Sequence, residues 1–381
     1  MQLVVRYVKI GIITNSIDEG HPSYTVYLYN LIKNFKSQDC ENEYYLIHHT
    51  NIDLDIYKEN NEIIIPLPSR GIMKLFYWKH FLLPKELKKQ KLDLLHDPRG
   101  IELLSQKFPY RKIITAQDIS SLICPGMSFR GYISWKLFAK RAMNNSEKII
   151  AISECLKQDI IQNIGIPEHK IKVVYNGKSE KFKPLSREKI LAFRNKYKLA
   201  FPFVLYLGQL QPRKNILLII RAFHKLQQCN DIKQNLVIAG TGKQYHEIFE
   251  LSKQLGLENR IIFTGFIQDE DLPSLYNAAD LFVFPSIYEA FGLPPLEAMA
   301  CGVPVITSDR GAFPEVVGDA GMMVNPEDVD ELATAMLKVL TNEGGIKDLM
   351  IRKGLERSKL FDWKTSAKQI IEIYNNINTE N

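Results

Sequence analysis

Residues 280–307 read DLFVFPSIYEAFGLPPLEAMACGVPVIT. An apolar strand ends at Phe284-Pro285. A loop follows with Glu289 and then Phe291-Gly292-Leu293-Pro294-Pro295. A helix is expected from about Leu296 to Gly302, with Glu297 in its first turn, and Val303–Thr307 is the next strand. Prolines ahead of a helix and a glycine behind it are the expected punctuation. The first turn of such a helix leaves N–H groups that attract anions. Gly292 permits close backbone approach by a ligand. The turn can therefore hold phosphate or sugar hydroxyls with two carboxylates beside it. From spacing alone, a capped helix with a solvated Glu289 and a dipole-matched Glu297 fits as well.

Working outward, the same alternation fills the chain. Short β-branched runs fall at Val8–Thr14, Tyr44–His48, Glu62–Leu67, Leu92–His96, Lys112–Ala116, Lys148–Ile152 and Ile171–Tyr175. A second set falls at Phe203–Gly208, Asn235–Ala239, Ile261–Thr264, Asp280–Pro285, Val303–Thr307 and Met322–Asn325. Helical periods separate most of them, among them Thr25–Phe35, Ile133–Met143, Ile216–Leu226, Tyr245–Leu255 and Asp328–Val339. This pattern predicts an α/β chain with parallel sheets covered by helices. The charge-rich stretch 178–202, with prolines at both ends, reads as a domain boundary. Ligands of such sheets bind beyond the carboxyl ends of the strands.

The chain has 381 residues, which suits two domains. Its 45% hydrophobic and 24% charged residues exclude a disordered tail, a collagen and a coiled-coil rod. The longest uncharged run, 199–212, contains two prolines and is too short to cross a bilayer. No signal-peptide pattern is legible, so a cytoplasmic protein is expected. Five scattered cysteines without a C-x-x-C pair argue against a disulfide framework or zinc ribbon. Reduced, mostly buried thiols are expected. Residues 1–185 hold 27 Lys/Arg against 19 Asp/Glu, and the remainder 22 against 24. The basic half suits an acidic partner such as a membrane surface or a charged acceptor. A plainly solvated surface fits the same count.

The run EAFGLPPLEAMACGVPVIT from Glu289 resembles the E-x7-E element of retaining glycosyltransferase family 4 (glycosyl transferases group 1), whose fold is GT-B. YLGQLQPRKNILLIIRAF (206–223) resembles that family's phosphate-gripping turn. LVIAGTG (236–242), IIFTGFI (261–267) and LPSLYNAADLFVFPS (272–286) resemble its second-domain framework. KIIAISECLKQDII (148–161) and IKVVYNG (171–177) resemble its late first domain. The likeness spans roughly 8–375 and is strongest over 203–325. It implies two Rossmann-like, doubly wound parallel-sheet domains facing a cleft. Residues 1–185 would bind the acceptor and 186–360 the nucleotide-sugar donor, and 361–381 would form a helix crossing back to the first domain. It further implies hexose transfer, with retained anomeric configuration, to a glycan, lipid-linked or polysaccharide acceptor. The P-R-K-N turn is similar to mannosyltransferase-type members, so GDP-mannose is the first expected donor and a UDP-hexose the next.

The resemblance also implies roles. Lys214 would hold the donor diphosphate, with Arg213 as a second cation. Two cations at a helix start oppose its dipole unless an anion is bound there. Glu289 would stand near the reacting face of the sugar. Glu297 would accept from the ribose hydroxyls. Backbone groups of Phe291, Gly292 and Leu293 would hold sugar or phosphate, with Gly208 and Gly20 at the phosphate turns. Phe266 and Ile267 fall in the base-binding turn, where plain core packing suits them equally. Gln117 and Asp118 are candidate acceptor ligands, though a turn aspartate fits Asp118 as well. Three positions depart from the family pattern: Gln209 for an arginine, Pro22 for a glycine and Gln117 for a histidine. Gln117 cannot accept a proton at neutral pH. No D-x-D motif lies at a strand end, and Asp53-Leu54-Asp55 sits in a polar loop, so neither metal nor cofactor is expected. No nucleic-acid partner is implied. The family is assigned a front-face route in which the departing phosphate deprotonates the acceptor, and the residues themselves do not exclude double displacement.

The stretch 69–91 interleaves Phe76, Tyr77, Trp78 and Phe81 with Lys74, Lys79, Lys85, Lys88, Lys89 and Lys91. Such a segment can lie on the inner face of an anionic membrane. It also suits an internal helix. A dehydrogenase is excluded, because Gly240-Thr241-Gly242 lacks the third glycine of a dinucleotide loop. A non-catalytic carbohydrate-binding relative is the alternative.

Overall fold

The structure is a computed structural model that describes residues 8–20, 22–68, 74–99, 108–123, 129–229 and 232–379. It divides into two compact units. One is Met1–Gly177 with Trp363–Asn381, and the other is Lys178–Asp362.

The first unit holds β1 (Val8–Ile13), β2 (Asn42–His48), β3 (Asn61–Ile64), β4 (Leu94–Asp97), β5 (Arg111–Ala116), β6 (Lys148–Ala151) and β7 (Ile171–Val173). The second holds β8 (Phe203–Leu207), β9 (Asn235–Ala239), β10 (Ile261–Gly265), β11 (Leu281–Phe284), β12 (Val305–Ser308) and β13 (Met322–Val324). Each matches an apolar run expected from the sequence, with ends displaced by up to three residues. All pairings are parallel, in the orders β3-β2-β1-β4-β5-β6-β7 and β10-β9-β8-β11-β12-β13. The central strand β11 is buried along its whole length, which is why it reads as a continuous apolar run rather than an alternating one. Strand order reverses between β1 and β4, and again between β8 and β11. Those two points are where such sheets open to ligands.

The charge-rich stretch 178–202 contains the helix Arg187–Lys196. Arg194 ties that helix to the second unit. Its guanidinium donates to the carbonyls of Phe201 (3.1 Å) and Ala278 (2.7 Å) and lies 5.6 Å from the Phe203 ring centroid.

The C-terminal helix Trp363–Thr379 packs in the first unit. Trp363, Ala367, Ile370, Tyr374 and Ile377 recur at helical spacing and join Tyr27, Leu31 and Phe35 in one core. Trp363 is a packing residue, edge-on to Tyr27 at 5.7 Å. A buried polar chain anchors the same helix. His96 Nδ1 lies 2.6 Å from the Tyr374 hydroxyl, and its Nε2 lies 2.7 Å from the Thr115 hydroxyl.

The segment after the undescribed residues 69–73 runs through Lys74–Tyr77, a wide π-helical turn Trp78–Leu82, and Leu83–Leu87. One face is interior: Trp78, Leu83 and Leu87 are fully buried, and the Trp78 indole donates to the Ile65 carbonyl. The other face exposes Phe76, Tyr77 and Phe81, and His80 beside them lies 6.0 Å from the ring of Phe138 on the helix Phe129–Asn144. The internal-helix reading thus holds for the face that carries Trp78, Leu83 and Leu87. Of the cysteines, Cys301 is buried, Cys155 half-buried and Cys40 exposed. The expectation of mostly buried thiols therefore holds only for Cys301. Cys124 and the side chain of Cys229 lie outside the description.

Burial holds His96 neutral and lowers its pKa to about 3. Between that value and about 6.5 the unfolded chain binds a proton that the folded chain refuses, so stability falls as pH drops through this window. Chemical denaturation at pH 7.5 and pH 5 should show a smaller pH loss in His96→Gln than in the parent. Tyr374→Phe, which strands a buried ring nitrogen, should cost about 1–3 kcal/mol at pH 7.5.

Candidate active site

The carboxyl end of β8 leads through Gly208 to a tight turn, Pro212–Lys214, and then to the helix Ile216–Cys229. Proline suits the first position of that turn because its φ is already set. Asn215 closes the turn in the left-handed region (φ 59°). Its amide donates to the carbonyls of Pro285 (3.2 Å) and Pro326 (2.7 Å). The Ile287 N–H donates to the Arg213 carbonyl at 2.9 Å. The turn Pro212–Lys214 is thereby fastened to the loop that leaves β11.

That loop carries Glu289. Lys214 Nζ lies 2.5 Å and Arg213 Nη1 3.2 Å from the same carboxylate oxygen, Oε1. Arg213 Nη1 also donates to the Tyr288 carbonyl at 2.5 Å, and Lys214 Nζ sits 5.0 Å from the Phe284 ring centroid. All three charged side chains are four-fifths or more buried. Burial alone would raise the Glu289 carboxyl, but Lys214 and Arg213 outweigh it and hold the pKa below the usual carboxylate value. Glu289 is therefore an anion, and the three side chains together carry one net positive charge.

The backbone of Glu289 is braced from β12. Its carbonyl accepts from the Ala312 N–H at 2.9 Å. A side chain on Gly311 would come within 2.5 Å of that carbonyl oxygen, and φ there is +63°. Only glycine fits.

Gly292 has φ +106°, and a Cβ on it would meet the Phe313 ring at 2.9 Å. The glycine is required by backbone conformation and by Phe313, rather than by ligand approach alone. The helix expected from Leu296 begins at Leu293. Pro294 and Pro295 lie inside its first turn and bring no N–H, so fewer anion donors remain there than the sequence suggested. Glu297 correspondingly moves to the second turn. Its Oε2 accepts from the Tyr276 hydroxyl at 2.9 Å. Burial pushes its carboxyl up to about 7, against the opposing pull of Tyr276 and Lys181.

Other expected site residues divide. Phe291 is buried and packs edge-on to Phe361 at 5.8 Å. Phe266 is 65% exposed while Ile267 is buried, so only the latter is plain core. Gln209 is exposed, and its side-chain oxygen accepts from the Gln211 amide at 2.6 Å. It adds no charge to the turn. Gly20, Gln117 and Asp118 belong to the first unit. Gly20 follows β1 with φ +66°. Pro22 opens the helix Pro22–Gln38, where a missing N–H costs nothing. Gln117 directly follows β5, is nine-tenths buried, and its Nε2 has no protein partner among the described residues. The Asp118 carboxylate accepts from the Ser120 N–H at 2.6 Å, as a turn aspartate does. Asn215, Gly311 and Tyr276 were not anticipated. Asn215 alone carried a signal, as an Asn directly before a helical period.

The comparisons with known proteins follow this division. Residues 25–179 match Glycosyltransferase Family 4, and residues 188–357 match Glycosyl transferases group 1. The Escherichia coli O-antigen chain mannosyltransferase B is 33% identical over 69% of this chain and 70% of its own length. The chain belongs to glycosyltransferase family 4. It is thus a glycosyltransferase, on a mannosyltransferase-like branch. The E. coli serotype-specific mannosyltransferase WbdA is 32% identical over 72% of this chain, which spans only 35% of that longer protein. Sucrose-phosphate synthase from Thermosynechococcus elongatus superposes with a TM-score of 0.80 at 21% identity, over 98% of this chain and 100% of that one. Anabaena Alr3699/HepE in complex with UDP-glucose does so with 0.75 at 22%, over 97% and 100%. The α/β fold is therefore GT-B, built of two Rossmann-like parallel-sheet units.

The turn that carries Lys214 depends on Asn215. Asn215→Ala should lose about 1–3 kcal/mol, from two abandoned carbonyls and a strained φ. Asn215→Gly should recover the backbone part alone. Denaturant melts of the two variants separate the terms.

Proposed function

We propose that this glycosyltransferase moves a hexose, with retained configuration, from a nucleotide-diphosphate sugar to a glycan, lipid-linked or polysaccharide acceptor without a metal ion. The observation that carries the reading is the convergence of Arg213 and Lys214 on Glu289 at the ends of β8 and β11. The leaving group is a nucleoside diphosphate whose charge grows as the sugar–phosphate bond breaks. Two preorganised cations, mostly removed from water, stabilise that charge and take the place of a metal. Arg213 supplies a planar fork for phosphate oxygens and Lys214 a point charge. Glu289, held ionised, offsets the positive character that develops at the anomeric carbon. In the front-face route the departing phosphate oxygen takes the acceptor hydroxyl's proton while the acceptor oxygen bonds to the same face of the sugar. Gln117, an amide, fits this division because no protein base is needed.

The second unit is the donor domain and the first the acceptor domain in this reading. Glu297 accepts from ribose hydroxyls, Gly208, Gly292 and Leu293 line the phosphate and sugar, and exposed Phe266 flanks the base. In the first unit, Asn15 Oδ1, Ser16 Oγ and Gln117 Nε2 are buried without protein partners among the described residues, at the ends of β1 and β5. Unsatisfied buried groups of this kind suit a polyhydroxyl acceptor. GDP-mannose is the preferred donor, supported by the mannosyltransferase relatives.

Purified protein should release nucleoside diphosphate from GDP-mannose, and not from UDP-glucose, UDP-galactose or UDP-GlcNAc, with EDTA making no difference. Lys214→Ala should lose both diphosphate affinity and turnover, the latter by about a hundredfold or more. Glu289→Gln should lose turnover by a similar factor yet bind GDP at least as well, because a competing anion is gone. Tight binding of a nucleotide sugar with no release in the presence of acceptor extracts would favour a carbohydrate-binding protein instead.

The exposed Phe76, Tyr77 and Phe81, with Lys74, Lys85 and Lys88 on the same segment, support association with the cytoplasmic face of an anionic membrane. Among the described residues no helix is long and apolar enough to cross one. Phe76→Ser/Phe81→Ser should lower co-sedimentation with phosphatidylglycerol vesicles, while phosphatidylcholine vesicles should bind neither form.

A further inference from the structure

Tyr276 lies on the short helix Leu272–Ala278, one element before β11, and its side chain is fully buried. Its ring is fixed edge-on by Phe182 (5.8 Å) and Phe282 (5.5 Å). The one polar atom of that ring is aimed out of the core at Glu297, at 2.9 Å from Oε2. Glu297 itself is half-buried on the helix Leu293–Ala300. Its other oxygen, Oε1, takes no hydrogen bond among the described residues. A carboxylate with one oxygen fastened and the other open has a single orientation to offer.

We propose that Tyr276 is a positioning residue for the donor: its hydroxyl, locked by the aromatic core, points Glu297 toward the ribose and keeps it in the anionic form that accepts two hydroxyls. The inference rests on the ribose role proposed for Glu297. The physical need is specific. A buried carboxyl prefers to be neutral, and a neutral carboxyl accepts fewer hydrogen bonds. The charged groups that act on Glu297 are Lys181, which favours its ionised form, and Asp269, which opposes it. The neighbouring Cys301 thiol is itself pushed up to about 12 by burial and by Glu297, so it stays protonated and adds no charge. With the carboxyl of Glu297 raised to about 7, the Tyr276 hydrogen bond acts in the range where the protonation state is decided. Tyr276→Phe keeps the packing and removes only that donor. An ionised partner makes the lost hydrogen bond a strong one, of a size that moves a carboxyl by about one pH unit or more.

The test measures GDP affinity by calorimetry from pH 6 to pH 9, with UDP in parallel, for the parent, Tyr276→Phe, Glu297→Gln and the double variant. Dividing each curve by that of Glu297→Gln cancels the titration of the ligand's own phosphate. The parent ratio should rise with pH to a plateau. Tyr276→Phe should bind about three- to tenfold more weakly at pH 7, recover most of that loss by pH 9 while staying below the parent plateau because the orientation is lost, and have its midpoint displaced upward by about one unit. In the double variant the Tyr276 change should have no further effect. Equal weakening by Tyr276→Phe at every pH, or an unmoved midpoint while Glu297→Gln still weakens binding, would overturn the inference and leave the ribose role of Glu297 standing. If Glu297→Gln binds GDP and 2′,3′-dideoxy-GDP in the same ratio as the parent does, the ribose role itself is wrong. If Tyr276→Phe does not fold, 3-fluorotyrosine at 276, a stronger donor, must move the midpoint downward instead, and an upward or absent shift rejects the proposal.

Discussion

Two cations share one oxygen of Glu289 in a place from which most water has been removed. Taking three charges out of water is costly, and their mutual attraction compensates only with close geometry. The close geometry is present: Lys214 and Arg213 lie 2.5 and 3.2 Å from Oε1. One positive charge is left over. Near a bare surface that charge would be screened, but at four-fifths burial it persists as a fixed field. An anion that grows in negative charge during a reaction gains more from such a field than one whose charge is constant. In the proposed transfer, the unbalanced charge is what acts on the departing phosphate.

The rest of the second unit is arranged to keep those three side chains in register. Arg213 and Lys214 come from the β8 turn, and Glu289 from the loop after β11. Strand order reverses between these two neighbours, so the loops leave in opposite senses. Short backbone and amide bonds hold them together: Asn215 to Pro285 and Pro326, Ile287 to Arg213, and Ala312 to Glu289. Gly311 lets the β12 loop approach near enough to make the last of these. None of these bonds is strong alone. Together they fix loops that would otherwise lose much conformational entropy on binding a ligand.

The strands, both sheets and the charged members of the site were legible in the sequence because each rests on local signals. Continuous apolar runs mark strands buried on both faces, and Lys214, Glu289 and Glu297 stand in contiguous motifs. What was missed is long-range or depends on fine geometry. Tyr276 meets Glu297 from 21 residues away, and Asn215 reaches carbonyls 70 and 111 residues away. Period and spacing carry no trace of such contacts. The start of the helix at Leu293 was misread because two prolines suggest a segment before the helix, whereas the first turn tolerates both. That error of three residues moved Glu297 by most of a turn and changed its chemistry. A carboxylate in the first turn would be favoured by the helix dipole. In the second turn it loses that aid and depends on a hydrogen bond from a neighbouring element. The stretch 178–202 carries a contact of the same long-range kind: Arg194 on its helix reaches the carbonyl of Ala278, 84 residues away.

The departures from the family pattern fall where the physical demand on the residue is weak. Pro22 opens a helix whose first N–H has no partner in any case. Gln209 closes its side chain on Gln211 within the turn, so the turn keeps its shape without a third cation. In the proposed transfer, the stabilisation of the leaving diphosphate then rests on Arg213 and Lys214. Gln117 keeps a hydrogen-bonding group at the end of β5 but gives up proton transfer, which matters only for a route that needs a protein base. The residues on which the proposed transfer rests, two cations and one ionised carboxylate, stand on two loops, after β8 and after β11, that are tied to each other and to the loop after β12.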